Sequence, residues 1–262
     1  MKSEELRQNF LFENLFAPKE IRLILTDLDR GLVGSAAPGR SALPLLCPES
    51  LKANYLLERR ELGVLNVGGT GHVQCGKTQY RMNHMDCLYV GRGESSINFS
   101  SEREEEPALF YLLSYPAHVS YPNVLARAGE LVGLQVGSME NCNQRTIYKA
   151  IHAEGIRSCQ LVMGWTELAS GSNWNTMPPH THTRRSEIYF YFNLNPLERV
   201  VHLMGVPEET RSIIVADREV VLSPPWSIHC GVGTQNYSFC WGMGGENQDY
   251  ADMDPVSITS LR

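Results

Sequence analysis

No two of the seven cysteines form a CxxC pair, and their number is odd. A disulfide framework and a thiolate zinc or redox motif are therefore poorly served. Cys47, Cys75, Cys87, Cys142, Cys159, Cys230 and Cys240 read instead as reduced thiols. Several lie in apolar stretches, such as SCQLVMGW and YSFCWGM, where a thiol packs as a small hydrophobe. That usage fits a reducing cytoplasm. No apolar run approaches the roughly 18 residues a membrane-spanning helix needs. The opening MKSEELRQNF is acidic and has no apolar core, so it does not read as a secretory signal. Positive charge is also short. With 23 Lys+Arg against 29 Asp+Glu, the net charge of -6 gives no reason to expect nucleic acid or an anionic membrane as partner.

What remains is an ordinary soluble composition, 42% hydrophobic and 20% charged, over 262 residues. That length suits one large domain or two small ones. Residues 4–16, EELRQNFLFENLF, predict a short N-terminal helix with Ser3 as its cap. After Pro18 the texture changes. Short runs rich in Val, Ile, Leu and Tyr recur between Gly, Pro, Asn and Asp, among them IRLILT, LGVLNV, CLYV, SINF, ALFYLL, EIYFYF, RVVHLM, RSIIV and EVVL. Such spacing predicts a mainly β chain, a sandwich or barrel of antiparallel strands. EREEEP (102–107) reads as a solvated loop. A weak internal echo sets LGVLNVGGTGHVQCG, MDCLYVGRG and SSINF beside VVHLMG, REVVLSPPWSIHCG and YSFCWG. It suggests two similar β-domains joined within Arg127–Asn143, and the boundary is placed between residues 135 and 136.

Two of the eight histidines lie in MPPHTHTRRSEIYFYF, separated by one residue. On a strand, His180 and His182 project to one face and can grip one ion together. Glu187 has the opposite parity, so a break through Thr183–Arg185 must reset the register. His229 follows a Pro224–Pro225 turn. Three imidazoles and a carboxylate suit zinc, and also iron, manganese, nickel or cobalt. The pattern HxHx4E, with a later His after a Pro-rich turn, resembles the metal signature of the cupin superfamily; Trp226 stands where that signature usually has glycine. His202, in VVHLM, reads either as a cavity residue or as a core histidine with a satisfied ring. His72, His84, His118 and His152 have no evident partners.

Longer blocks carry a closer resemblance. YLLERRELGVLNVGG (55–69), DCLYVGRG (86–93), NQRTIYK (143–149), WNTMPPHTHTRRSEIYFYF (174–192), PEETRSIIV (207–215), SPPWSIHCGVGT (223–234) and WGMGGENQDYADMD (241–254) run in order along nearly the whole chain. Together they resemble the 5-keto-4-deoxyuronate isomerase family (4-deoxy-L-threo-5-hexosulose-uronate ketol-isomerase). The resemblance implies two cupin-like jelly-roll barrels, 1–135 without metal ligands and 136–262 with them. It implies one Zn2+ per subunit on His180, His182, Glu187 and His229, and a homohexamer. The implied reaction converts 5-dehydro-4-deoxy-D-glucuronate to 3-deoxy-D-glycero-2,5-hexodiulosonate in pectin and uronate breakdown.

Residue chemistry is compatible with that reaction. Aldose–ketose isomerisation moves a proton between adjacent carbons, and a divalent metal stabilises the developing oxyanion. Arg184 and Arg185 are candidates for the substrate carboxylate, or for a surface or intersubunit ion pair. Tyr189 and Tyr191 are candidates for sugar hydroxyls, or for the packing of an aromatic strand. Glu209 and Glu246 are candidate bases, as is a metal-bound hydroxide. The competing readings are an Fe(II) cupin dioxygenase, a non-catalytic sugar-binding cupin and, more remotely, a phosphosugar isomerase, for which no P-loop-type phosphate loop is present.

Overall fold

A computed structural model of the chain describes residues 1–246 and 249–262. The fold is mainly β, and its strands divide into two compact units. No helix among the described residues is long and apolar enough to cross a membrane.

The histidine-bearing unit comprises Met1–Asn14, Val132–Lys149 and Met163–Arg262. Its larger sheet runs in the order Leu11–Phe12, Val220–Ser223, Arg185–Phe192, Ser238–Gly245, Val162–Leu168, Arg145–Ile151, Leu134–Val136. A smaller sheet carries Trp174–Asn175, Cys230–Gly233, Val200–Val206 and Glu209–Val215. The central strand Arg185–Phe192 is buried along its whole length, so both parities must be apolar or satisfied. Phe190 and Phe192 stack on one face at 5.4 Å. Glu187, Tyr189 and Tyr191 share the other face, where Tyr189 and Tyr191 meet His202 of the smaller sheet.

The other unit comprises Leu15–Leu131 and Ala150–Val162. Its six-stranded sheet is ordered Val124–Ala126, Cys87–Val90, Arg60–Asn66, Phe110–Pro116, Leu32–Ala36, Ile21–Leu25; a second sheet has Leu43–Pro44, Ile97–Ser101, Gly71–Cys75 and Thr78–Met82. Side chains of both sheets, among them Leu62, Val64, Leu112, Val73, Phe99 and Met82, form one dry core. Strands Gly71–Cys75 and Ile97–Ser101 alternate buried with half-buried positions, as a two-faced strand should.

The two units share one pairing scheme. Arg60–Asn66 lies between Cys87–Val90 and Phe110–Pro116 as Arg185–Phe192 lies between Val220–Ser223 and Ser238–Gly245. Gly71–Cys75 lies between Thr78–Met82 and Ile97–Ser101 as Val200–Val206 lies between Glu209–Val215 and Cys230–Gly233. LGVLNV therefore corresponds to EIYFYF, whereas the sequence echo had set it beside VVHLMG. Alternating apolar residues match any strand to any other; hydrogen-bond order separates them. In this register Leu62 stands where the other unit has Glu187, each opposite the last residue of its neighbour.

Two local expectations shift. The helix covers Ser3–Phe10 and begins at Ser3 itself, with Glu5 accepting a hydrogen bond from the Lys2 backbone at 2.7 Å. Leu11 and Phe12 leave it to pair with Val221 and Val220, because an edge position of a sheet takes more apolar surface out of water than another helical turn would. In the apolar stretch SCQLVMGW the strand starts only at Val162. Glu61, fully buried, accepts the backbone N–H groups of Cys159, Gln160 and Leu161 at 2.7, 2.9 and 2.8 Å and the Tyr89 hydroxyl at 2.8 Å. All seven cysteines are free; four are buried, while Cys142 is exposed and Cys47 and Cys159 are half-buried. The acidic 102–107 segment is exposed throughout.

Candidate metal centre

Three separate pieces of backbone bring the donors together. His180–Thr181 is a two-residue strand, and 182–184 is irregular before Arg185–Phe192 begins. That break is the register reset that HxHx4E requires. It lets His182 and Glu187 face each other, with Nε2 to Oε2 at 3.0 Å. His229 enters from the turn after Val220–Ser223, and its Nε2 lies 3.1 Å from the same Glu187 oxygen and 2.9 Å from His180 Nε2. One ligand atom from each of the four side chains lies within 4.8 Å of every other. All but His180 are buried.

The donor chemistry fits a metal ion. His180 and His229 bring their Nε2 atoms to 2.9 Å from each other, and Glu187 Oε2 lies 3.0 and 3.1 Å from Nε2 of His182 and His229, so the four groups converge on one point as the ligands of a single ion do. The far nitrogens are tied back. His229 Nδ1 lies 3.0 Å from Ser223 Oγ, and His182 Nδ1 lies 3.3 Å from Asp252 Oδ1. These contacts orient the rings so that Nε2 of each faces inward, where its lone pair can meet a metal. Burial, then the neighbouring His229 ring, pushes His180 down to about 3, so it is held neutral, the form that ligates. Burial opposes ionisation of Glu187, but the His229 and His182 rings outweigh it and hold the carboxyl well below its ordinary range. The cluster is thus three imidazoles, that of His180 held neutral, and one carboxylate.

The C-terminal segment braces this ribbon. Asp254–Pro255 pairs with His180–Thr181, Thr183 donates to Asp254 at 2.8 Å, and the Val256 N–H donates to the Pro179 carbonyl at 3.0 Å. Asp252 Oδ1 also lies 2.5 Å from Arg185 Nη2, which donates to the Tyr250 carbonyl at 3.2 Å. One carboxylate therefore serves both the ligand ring and a fully buried guanidinium.

A cavity of about 360 Å³ opens beside the cluster. His180, His182 and Glu187 line one part, with Arg185 and Tyr189 beside them. Arg145, Trp241, Tyr250, Met177 and Met243 line the rest. Burial, then the Glu187 charge, drives the Tyr189 phenol well above its ordinary value, and burial pushes Tyr250 up to about 12. Both stay protonated; Tyr189 is hydrogen-bonded with Glu187, and Tyr250 can donate to an oxygen in the cavity.

Other residues expected at the site lie elsewhere. Arg184 is exposed and pairs with exposed Glu246 at 2.8 Å. Glu209 is exposed, pairs with Arg211 and borders a different groove, beside Trp226. Neither glutamate lines the cavity, so neither is placed to move a proton there. Tyr191 is a layer deeper, its hydroxyl 2.7 Å from His202 Nδ1. His202 is fully buried and faces the barrel interior. Arg145, Tyr250 and Asp252 went unnoticed as site residues. Each lies in a block on which the family resemblance rests, but residue type and spacing alone give no reason to pick them out.

The chain matches the family model described as "KduI/IolB family" over residues 17–256. The chain belongs to this family. Among its relatives, the 4-deoxy-L-threo-5-hexosulose-uronate ketol-isomerase of Shouchella clausii is 48% identical over 260 residues, covering 99% of this chain and 94% of that one. The protein of the same name from Opitutus terrae is 49% identical over 266 residues, covering 100% and 95%. An IolB-like protein from Salmonella typhimurium, of known structure, superposes with a TM-score of 0.76 at 15% identity, covering 95% of this chain and 97% of that one. That likeness speaks for the KduI/IolB fold alone.

Proposed function

We propose that this chain is a metal-dependent ketol-isomerase that converts 4-deoxy-L-threo-5-hexosulose uronate (5-dehydro-4-deoxy-D-glucuronate) to 3-deoxy-D-glycero-2,5-hexodiulosonate in pectin and uronate degradation. The carrying observation is the convergence of His180, His182, Glu187 and His229 beside a cavity walled by arginines and tyrosines, in a chain of this family. A divalent ion held by these four groups supplies Lewis acidity at the substrate's carbonyl oxygen. The protein's own groups do the rest. Tyr250 donates a hydrogen bond to a substrate oxygen, Arg185, neutralised by Asp252, holds the His182 ring in place, and the apolar wall of Trp241, Met177 and Met243 limits water. The proton passes from the carbon beside the aldehyde carbonyl to the former carbonyl carbon, so no oxidant is consumed.

Finer features belong to the same proposal. Zinc suits three imidazoles and one carboxylate. Free cysteines support a cytoplasmic setting, and the sequence resemblance supports a hexamer. Each unit is read as one cupin-type barrel, the first lacking ligands, as Leu62 in the place of Glu187 illustrates. The test is to incubate purified protein with a lyase-generated unsaturated uronate and follow the 2,5-diketo product. Chelation should abolish product and zinc should restore it. Oxygen uptake with no diketo product would instead identify a dioxygenase.

A further inference from the structure

Two arginines line the cavity beside the cluster, and they differ in how their charge is met. Arg185 is fully buried and paired with Asp252 at 2.5 Å. Its Nε lies 3.4 Å from His182 Nδ1. This guanidinium is neutralised, and its place beside the ligand ring makes it a positioning residue for His182.

Arg145 has no such partner. It leaves the strand Arg145–Ile151 and is half-buried. Nη1 donates to the Asn143 carbonyl at 2.8 Å, and it forms no ion pair with an acidic side chain among the described residues. Glu167 borders the adjoining groove with it but accepts instead from Trp165 Nε1 at 3.0 Å. Burial lowers the Arg145 pKa, while Tyr250 and Tyr189, which face the same cavity, act in the opposite direction. A partly desolvated guanidinium without a counter-ion is costly, and its planar fork matches a carboxylate. A carboxylate arriving from the cavity removes that cost.

We propose that Arg145 is the anchor for the carboxylate of the substrate, holding it so that the opposite, carbonyl end reaches the His180–His182–Glu187–His229 cluster. The inference rests on the ketol-isomerase reading and names its acid-recognising group. Specificity for an acid over the corresponding neutral sugar then lies in Arg145, on a strand remote in sequence from the ligands.

The test uses the metal-loaded full-length protein, with D-glucuronate and D-glucose as unreactive competitors. Losing a charge-assisted bidentate bond raises KM for the keto-uronate by about ten- to a hundredfold in Arg145→Gln. The inhibition constant for D-glucuronate rises by a similar factor, inhibition by D-glucose is unaltered, and metal content stays at the wild-type level. Arg145→Lys keeps the charge without the fork, so its KM lies between those of wild type and Arg145→Gln. That variant alone decides the matter if the glutamine variant does not fold. Wild-type KM and wild-type inhibition by D-glucuronate in either folded variant overturn the anchor and leave the isomerase reading standing. A wild-type protein that does not turn over the keto-uronate overturns both.

Discussion

At the scale of single residues, the cluster depends on which nitrogen of each imidazole faces inward. Asp252 has no place among the four donors, yet it holds the far nitrogen of His182 and the guanidinium of Arg185. Asp252→Asn is expected to weaken metal binding by about ten- to a hundredfold, checked by competition with a chromophoric chelator. His229→Ala removes a ligand outright. It should yield folded protein with little bound metal and no measurable turnover, read by elemental analysis beside the product assay. His202 offers a prediction that involves no ligand. Burial pushes it down to about 3 from an ordinary value near 6.5. Between those values the unfolded chain takes up a proton that the folded chain refuses. Stability from the neutral ring is therefore full above pH 6.5 and is lost as pH falls toward 3. In the presence of chelator, the urea midpoint should drop between pH 7 and pH 5, and His202→Gln should show a shallower drop.

Among elements, the two-residue strand Asp254–Pro255 stands out for what it fastens. It pairs with the ribbon that carries His180, and Thr183 donates to Asp254. Thr183→Val should lower metal retention while leaving far-UV circular dichroism unaltered; equal retention would show that the brace is dispensable. This scale also separates what could be read in advance from what could not. HxHx4E and the Pro-Pro-His turn were legible because a metal demands particular donor atoms at short spacing, and the break at 182–184 followed from parity. Most strands were legible from apolar runs bounded by turn residues. Arg145, Tyr250 and Asp252 were not, because an arginine on a strand and an acid in a tail look alike whether they face a cavity or solvent. Arg184 took the surface ion pair that its sequence position also allowed, and its partner is Glu246, a candidate base on sequence alone. Leu11 and Phe12 looked helical because their sheet partners come more than two hundred residues later.

For the molecule as a whole, the chain reuses one strand order with different contents. The unit built on Leu15–Leu131 spends its interior on an apolar core, whereas the histidine-bearing unit gives part of its interior to imidazoles, tyrosines and a cavity. The proposed site lies within one unit, so the other should tolerate change so long as it folds. Its most exposed point of failure is Glu61. Glu61→Leu leaves three backbone N–H groups and a tyrosine hydroxyl without their acceptor, and for the two that are buried, Leu161 N–H and the Tyr89 hydroxyl, the cost is about 1–3 kcal/mol each. A loss of about 3 kcal/mol or more in urea unfolding is expected, with metal content per folded molecule unchanged.

The pairing of Leu11–Phe12 with Val220–Val221 also has a consequence for synthesis and dissection. The leading segment finds its sheet neighbour only after most of the polypeptide has been made, so until then one edge of the histidine-bearing half stays uncovered. A product started at residue 132 would present Val220–Ser223 as a bare, hydrophobic ribbon edge, which invites self-association. Supplying residues 1–14 as a separate peptide should restore solubility to such a fragment.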